Sequence, residues 1–401
     1  MNLSQSAACY EAAKAICGRS LTRSKAPGKL FEIGTGPMYA AHGKGALLFD
    51  VDGNRCIDMI CALGAISLGY GGMWDFDDNH AAMSEVRHGW IYSLPSRLEG
   101  TAADAMLATF APWASQVRFV KTGSESVHAA YRIAKAATGR DRVLVGDWAY
   151  HGWHEWCADD CFPWTHRFAH NEDLGYLDDC YADERRAFAV PYKDIAAVFI
   201  EPHRWEPVNV EWLKSVRAFC DRIGALLVFD SMIYGGRWAK GGTTEYFGGR
   251  PDMECFGKAI GNGAPIACVV GNQVLADHGE IISGTYSGDA VALAALIDVA
   301  RVYDTQPVID TLWKRGCQLA RGLREAIALH PGPVLEGAAV HQRLRFPDPA
   351  DGKRFAAAMA QRGVLWHPDI VNISYSHTEA HIERVVEGAI ASLAEMAKAT
   401  T

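Results

Sequence analysis

The feature that most constrains this chain is a pair of continuous apolar runs near its middle, residues 195–200 (IAAVFI) and 225–229 (ALLVF). Neither run alternates polar with apolar residues, so neither has a face to give to water. Such strands belong inside a sheet that is covered on both sides. Residues 212–223, between the two, have helical periodicity and supply one cover. Upstream, 117–120 (VRFV) and 142–145 (RVLV) read as further strands around a helix at 125–137, and 268–270 (CVV) follows a glycine-rich stretch. Strands that alternate with helices predict an α/β fold with a mostly parallel central sheet and helices on both faces.

At 401 residues the chain exceeds one small domain. From Thr311 onward it reads as helices around short strands, closing on an amphipathic helix at 381–397. With the first fifty residues this part is expected to form a smaller α+β domain. The expected division is therefore 1–50 and 301–401 for the small domain, and 51–300 for a large ligand-binding domain. Charged residues make up 21%, the formal net charge is −8, and Lys and Arg are scattered. A nucleic-acid or anionic-membrane surface is not indicated. The N-terminus lacks a basic start followed by an apolar core, which argues against a secretory signal, and no apolar run is long enough to span a bilayer. The 11 cysteines are dispersed and odd in number, which fits a reducing, cytoplasmic compartment better than a disulfide framework.

Sheets of this kind hold their ligands beyond the carboxyl ends of their strands. That rule singles out Thr122-Gly123-Ser124, Glu201, Asp230 and Lys258. The first triplet lies between a strand and a helix, where glycine lets a ligand approach the backbone and free N–H groups attract an anion. It also reads as an ordinary helix cap. Asp230 ends the strand ALLVFD, where a carboxylate needs a partner and can hold a proton on a pyridinium nitrogen. The plainer use is to cap the next turn. Lys258, in CFGKAIGNGAP, has apolar and glycine neighbours, and a lysine taken out of water becomes a nucleophile toward carbonyls. Most lysines instead reach from a turn into solvent. His151, His154, Cys157 and Cys161 have residue types that suit zinc, but their spacing departs from finger patterns. That segment is read as an aromatic loop over a cofactor or substrate, and no metal is expected.

The order of these signals resembles the fold-type I pyridoxal-phosphate (PLP) transferases, specifically the class III aminotransferases, and within them the glutamate-1-semialdehyde aminomutase branch. The matching stretches include GKGALLFDVDGNRCIDM (43–59), VRFVKTGSESVHAAYRIAKAATGRDRV (117–143), YHGWHEW (150–156), FIEP (199–202), LLVFDSMIYGGR (226–237), PDMECFGKAIGNGAPIACVVG (251–271) and GTYSGDAVALAA (284–295). The resemblance implies that Lys258 holds PLP and shuttles the proton, and that Asp230 pairs with the ring nitrogen. It also implies that Thr122, Gly123 and Ser124 surround the phosphate, that Tyr150 packs on the ring with His151 and Gly152 completing the turn, and that Glu201 lies near the ring. Thr285 would bind the phosphate of a neighbouring subunit, which implies a homodimer with shared active sites.

Two departures bear on the reaction. The family's residue after the aspartate is usually Glu, whereas Ser231 and Met232 stand here. The stretch from His151 to Glu201 looks shorter than the family's, which weakens a lid over a half-reacted substrate and favours transfer between molecules. Residues 24–45 lack a clear match to the aminomutase's arginine segment and look closer to a branch that serves specialised biosynthesis. The expected activity is transfer of an amino group from a donor to an aldehyde or ketone acceptor, sugar-like or otherwise specialised. Intramolecular transfer of the aminomutase type, or a racemase or epimerase on the same scaffold, are the alternatives. Arg97, Arg204 and Arg237 are the candidate carboxylate anchors, each more commonly a solvated residue.

Overall fold

A computed structural model describes residues 1–71, 84–85, 87–158, 165–169, 192–206 and 208–399. The chain forms two compact units, one of Met1–Phe76, Arg204–Glu206 and Asp310–Thr401, the other of Asp77–His203 and Pro207–Ile309.

The second unit is built on seven strands: β1 (Gln116–Val120), β2 (Arg142–Gly146), β3 (Thr165–Phe168), β4 (Ile195–Ile200), β5 (Leu226–Asp230), β6 (Met253–Phe256) and β7 (Ala267–Gly271). Their order across the sheet is β1-β7-β6-β5-β4-β2-β3. β7 is antiparallel to both of its neighbours, while β3, β2, β4, β5 and β6 pair in parallel. Six strands therefore run one way and β7 the other. Every residue of β4 is buried, as its continuous apolar run requires.

The two faces of the sheet can be told apart by where alternate residues go. Val143, Val145, Phe199 and Val228 pack in one core with Val127, Tyr131 and Ala134 of the helix Gly123–Thr138. Leu144, Val198, Ile200, Leu227 and Phe229 pack in another with Trp212, Val216 and Phe219 of the helix Val210–Ile223. A side-chain period of two on the strands thus meets a helix on each side. Both helices are stopped by left-handed glycines, Gly139 (φ 67°) and Gly224 (φ 68°). The expected helix at 125–137 begins two residues earlier, because Thr122 and Glu125 form a capping box.

In the first unit, Ala40–Lys44, Leu47–Asp50 and Arg55–Asp58 form an antiparallel meander, and Val364–Leu365 adds in parallel to the last of these. A second sheet joins Val334–Ala338, His341–Arg345 and Val371–Asn372. The helices Pro349–Gln361 and Glu379–Ala399 belong to this unit, and Phe355 meets Trp366 edge-on at 5.5 Å. Among the described residues, no helix is long and apolar enough to cross a membrane.

Candidate active site

Because β1, β2, β4, β5 and β6 run in one direction, the residues that follow them emerge along one edge of the sheet. Asp230 is the last residue of β5 and is 1% exposed. Its Oδ1 accepts the N–H of Met232 at 3.0 Å, and its Oδ2 lies 2.8 Å from Nδ1 of His151. A carboxylate can only accept, so the histidine donates. His151 comes from the loop after β2, is itself buried, and its Nε2 has no hydrogen-bond partner among the described residues. The same loop is tied down by Glu201, the residue after β4. Glu201 Oε2 accepts the N–H of Tyr150 at 2.9 Å, and its carbonyl accepts Nε1 of Trp148 at 2.8 Å. The Tyr150 side chain is 61% exposed.

Two glycines bring the backbones together. Gly152 has φ +107°, and a Cβ there would lie 2.4 Å from Ser124 Oγ. The loop after β2 thus closes on the start of the helix that follows β1, where Ser124 Oγ accepts the N–H of Trp153 at 3.3 Å. Thr122 is the helix cap, its Oγ1 accepting the N–H of Glu125 at 3.2 Å. The capping reading of Thr122 is therefore realised. The amides of Gly123 and Ser124 come first in the helix, where a helix has no internal acceptor to offer them.

Lys258 lies just past β6, the strand beside β5, with Asp230 in register with Cys255. It is half-buried and adopts φ +48°, a left-handed conformation rare outside glycine. Residues held this way cluster at functional sites. Gly257 before it has no room for a side chain, since a Cβ would sit 2.4 Å from Met232 Sδ. A Cβ on Gly123 would sit 2.8 Å from the same sulfur. Met232 is thus a wedge between the helix start and the lysine turn.

Thr285 stands on an exposed loop and lines a hollow of about 410 Å³ with Ile91, Tyr92, Leu94 and Glu99. Of the arginine candidates, Arg97 pairs with Glu85 at 2.5 Å, Arg204 lies 6.0 Å from the Trp205 ring, and Arg237 is almost wholly buried rather than solvated. Three residues of the His/Cys segment have other partners among the described residues. His151 bonds Asp230, and His154 packs edge-on against His128 at 4.7 Å. Cys157 donates to backbone carbonyls, and burial pushes its thiol up to about 12. Cys161 lies outside the described residues. Among the described residues no three metal-ligating side chains gather. Two residues escaped the sequence reading. Glu254, a lone carboxylate inside the apolar strand MECF, is fully buried and bonded to Ser231. Met232 gave no signal beyond its departure from the family pattern.

The mostly parallel sheet thus gathers a buried aspartate, a lysine turn and a glycine-lined helix start at its strand ends. Residues 33–368 match the family model of the class-III aminotransferases. The chain is 30% identical to the glutamate-1-semialdehyde 2,1-aminomutase of Desulforudis audaxviator (strain MP104C), over 88% of this chain and 90% of that one. It is 28% identical to the 3-aminobutyryl-CoA aminotransferase of Cloacimonas acidaminovorans (strain Evry), over 99% of both. Among solved structures it is similar to the FumI protein of Sphingopyxis sp. MTA144 in its PLP internal aldimine form. There the TM-score is 0.87 and the identity 27%, covering 98% of this chain and 96% of that one. This chain belongs to the class-III aminotransferases, enzymes that use pyridoxal phosphate.

The residues present fit that cofactor. A buried carboxylate suits a ring nitrogen, the first two amides of the helix, Gly123 and Ser124, with the Ser124 hydroxyl suit a phosphate, and the lysine stands one strand from the aspartate.

Proposed function

We propose that the enzyme transfers an amino group between two separate molecules, from an amino donor to an aldehyde or ketone acceptor. Amino-group chemistry is carried by Asp230, buried at a strand end between His151 and the Met232 amide, one strand away from Lys258. Transfer between separate molecules is favoured by residues 24–45, which lack a clear match to the aminomutase's arginine segment, and by the aminotransferase relative similar over 99% of both chains. Pyridoxal phosphate supplies an aldehyde that takes up the amine and a ring that draws off the electrons left when the α-proton departs. Lys258 Nζ would hold the cofactor through its aldehyde and would carry the substrate's proton as the general base and acid. Asp230 keeps the ring nitrogen protonated, and His151 fixes the angle of its carboxylate. Gly123 and Ser124 bind the phosphate at the helix start, with Thr122 holding that start in place. Tyr150 covers the ring, on a loop that Glu201 anchors.

Thr285 is read as the contribution of one subunit to the phosphate of the other. Exposed Ile91, Tyr92, Leu94 and Tyr286 beside it favour a homodimer, because isolated chains rarely leave such a cluster in water. The described cysteines are all free thiols, in keeping with a reducing, cytoplasmic setting. The acceptor is read as a sugar-like or otherwise specialised carbonyl compound. The aminomutase relatives favour a second reading, transfer within one molecule.

The visible spectrum separates the two. The holoenzyme should absorb at roughly 410–430 nm, the range expected for this cofactor on a lysine. A donor such as glutamate, added without acceptor, should remove that band, and a carbonyl acceptor should restore it. A band that responds to one amino aldehyde alone, with turnover and no second substrate, would establish the aminomutase reading instead. Failure of any PLP-treated sample to show a band would overturn both.

A further inference from the structure

Directly beside the Asp230 turn lies a second buried carboxylate. Glu254 sits within β6, between β5 and β7, and has no exposed surface. Among the described residues its hydrogen-bond partners are all neutral. Oε1 accepts from Ser231 Oγ, from the N–H of Thr243 at 3.0 Å and from that of Thr244 at 3.3 Å, while Oε2 accepts from Thr244 Oγ1 at 2.5 Å. The single Ser231 hydrogen points to the carboxylate, so Thr243 Oγ1, 2.7 Å away, turns its own hydrogen to Ser231. Gly242 makes this closure possible. Its φ is +63°, and a Cβ would lie 2.6 Å from Ser231 Oγ and 2.9 Å from Glu254 Oε1.

A buried carboxylate without a cation is a costly way to fill a core. An apolar side chain on this strand would pack at less cost, so the use of Glu254 is sought in what it holds. Ser231 follows Asp230 in the chain, and its N–H donates to the carbonyl of Cys255, the residue after Glu254, at 2.9 Å. The turn 230–232 is therefore held from β6 twice, by backbone and by side chain. The residue after the aspartate is Ser231, and the carboxylate beside it comes from the neighbouring strand.

We propose that Glu254 is a positioning residue for the cofactor. Through Ser231 it fixes the 230–232 turn, so that Asp230 keeps one orientation and Met232 stays wedged between Gly123 and Gly257. The inference rests on the reading in which Asp230 meets the ring nitrogen. Burial pushes the Glu254 carboxyl up to about 7, so a neutral amide is a fair substitute for it.

The test strips the holoenzyme of pyridoxal phosphate and titrates the cofactor back into wild type, E254V, E254Q, S231A and D230N. It reads the dissociation constant, the visible band and the thermal unfolding of each apo protein. E254V takes the acceptor from the amide and hydroxyl of Thr244 and cuts the Ser231 side chain loose from β6, although the Thr243 amide keeps Ser231 Oγ at 2.8 Å; it should weaken cofactor binding about tenfold and shift the band. E254Q keeps an oxygen toward Thr243 and Thr244 and turns its amide hydrogens to Thr244 Oγ1; it should stay within about twofold. S231A cuts the link while leaving Glu254 its other donors, and should fall between. A purely structural role would lower the apo unfolding temperature of E254V and leave its dissociation constant and band at wild-type values; that result overturns the proposal. Should E254V not fold, an unchanged constant and band in S231A overturns it equally. D230N tells the two levels apart. An unaltered band there removes the reading of Asp230 itself, whereas an altered band with E254V and S231A unaltered removes the role of Glu254 alone.

Discussion

Asp58 and Asp230 each close a β-strand, Arg55–Asp58 in one unit and Leu226–Asp230 in the other, and each is almost wholly buried. Their surroundings differ. Asp58 Oδ1 accepts the N–H groups of Ile60 at 2.8 Å and Cys61 at 3.2 Å, and Oδ2 accepts the Tyr70 hydroxyl at 2.7 Å. Burial raises its carboxyl above the usual range, and the same burial raises the Tyr70 hydroxyl. These bonds hold the entrance to three successive left-handed residues, Cys61 (φ 51°), Ala62 (49°) and Leu63 (62°), a conformation L-residues rarely adopt. Asp58 is the cap of a strained turn. Asp230 makes one local backbone bond and gives its other oxygen to a histidine brought in from the loop after β2. Asp58 is thus tied by partners within twelve residues of it, whereas Asp230, proposed to meet the cofactor, is held by a histidine 79 residues away.

That contrast can be broken by substitution. The largest effect should come from Lys258→Ala, which removes the group proposed both to anchor the cofactor and to move the proton. Turnover should fall by more than about 10⁴-fold, and steady-state rates near wild type would refute the assignment. Asp230→Ala comes next, with a loss of about 10³-fold in proton abstraction, followed as isotope exchange at the α-carbon, while some cofactor still binds. Asp58→Ala should do the reverse. It takes away the acceptor that Asp58 gives the amides of Ile60 and Cys61 and the Tyr70 hydroxyl, lowering unfolding free energy in urea by about 3–5 kcal/mol, with the visible band of the folded protein unmoved. If Asp58→Ala altered the spectrum and Asp230→Ala altered only stability, the contrast would be inverted.

The smallest effect sharpens the comparison through pH. Glu254 is raised from 4.5 to about 7, so the folded state holds a proton that the unfolded chain has already lost in that window. Its contribution to stability therefore falls as pH rises from about 4.5 through about 7. Glu254→Gln removes this dependence, and its stability relative to wild type should climb across the same window by about 2–3 kcal/mol. A flat difference between pH 5 and 8 would show that the buried carboxyl titrates normally. Asp58→Asn should show the same sign, since burial raises that carboxyl too.

Much of the fold was legible because continuous apolar strands and periodic helices are local properties. The runs at 195–200 and 225–229 became β4 and β5, and the helix expected at 125–137 formed, beginning two residues earlier at Gly123. The short polar-looking strand Thr165–Phe168 was not read, and neither was the reversal of β7, because direction depends on the path of the chain between strands rather than on strand composition. At the site, Asp230, Lys258 and Gly123 stood out through position and neighbours. Arg237 looked solvated, and burial overturned that. The pairing of His151 with Asp230 spans 79 residues and left no local mark. Glu254 was hidden for the same reason. A carboxylate inside MECF conflicts with its strand, and the conflict is resolved by Ser231, Thr243 and Thr244, whose approach depends on a glycine twelve residues back.

Sequence alone was enough for the continuous apolar strands at 195–200 and 225–229, for the helices around them to within two residues at their starts, and for an aspartate and a glycine-flanked lysine beyond apolar runs, since each of these rests on interactions within a few residues. The tertiary structure decided which strands became neighbours and in which direction. It therefore decided that Asp230 meets His151, that Met232 fills the gap between Gly123 and Gly257, and that Ser231 finds its carboxylate on the next strand. Those outcomes depend on contacts between residues far apart in the chain, and such contacts exist only once the sheet has formed.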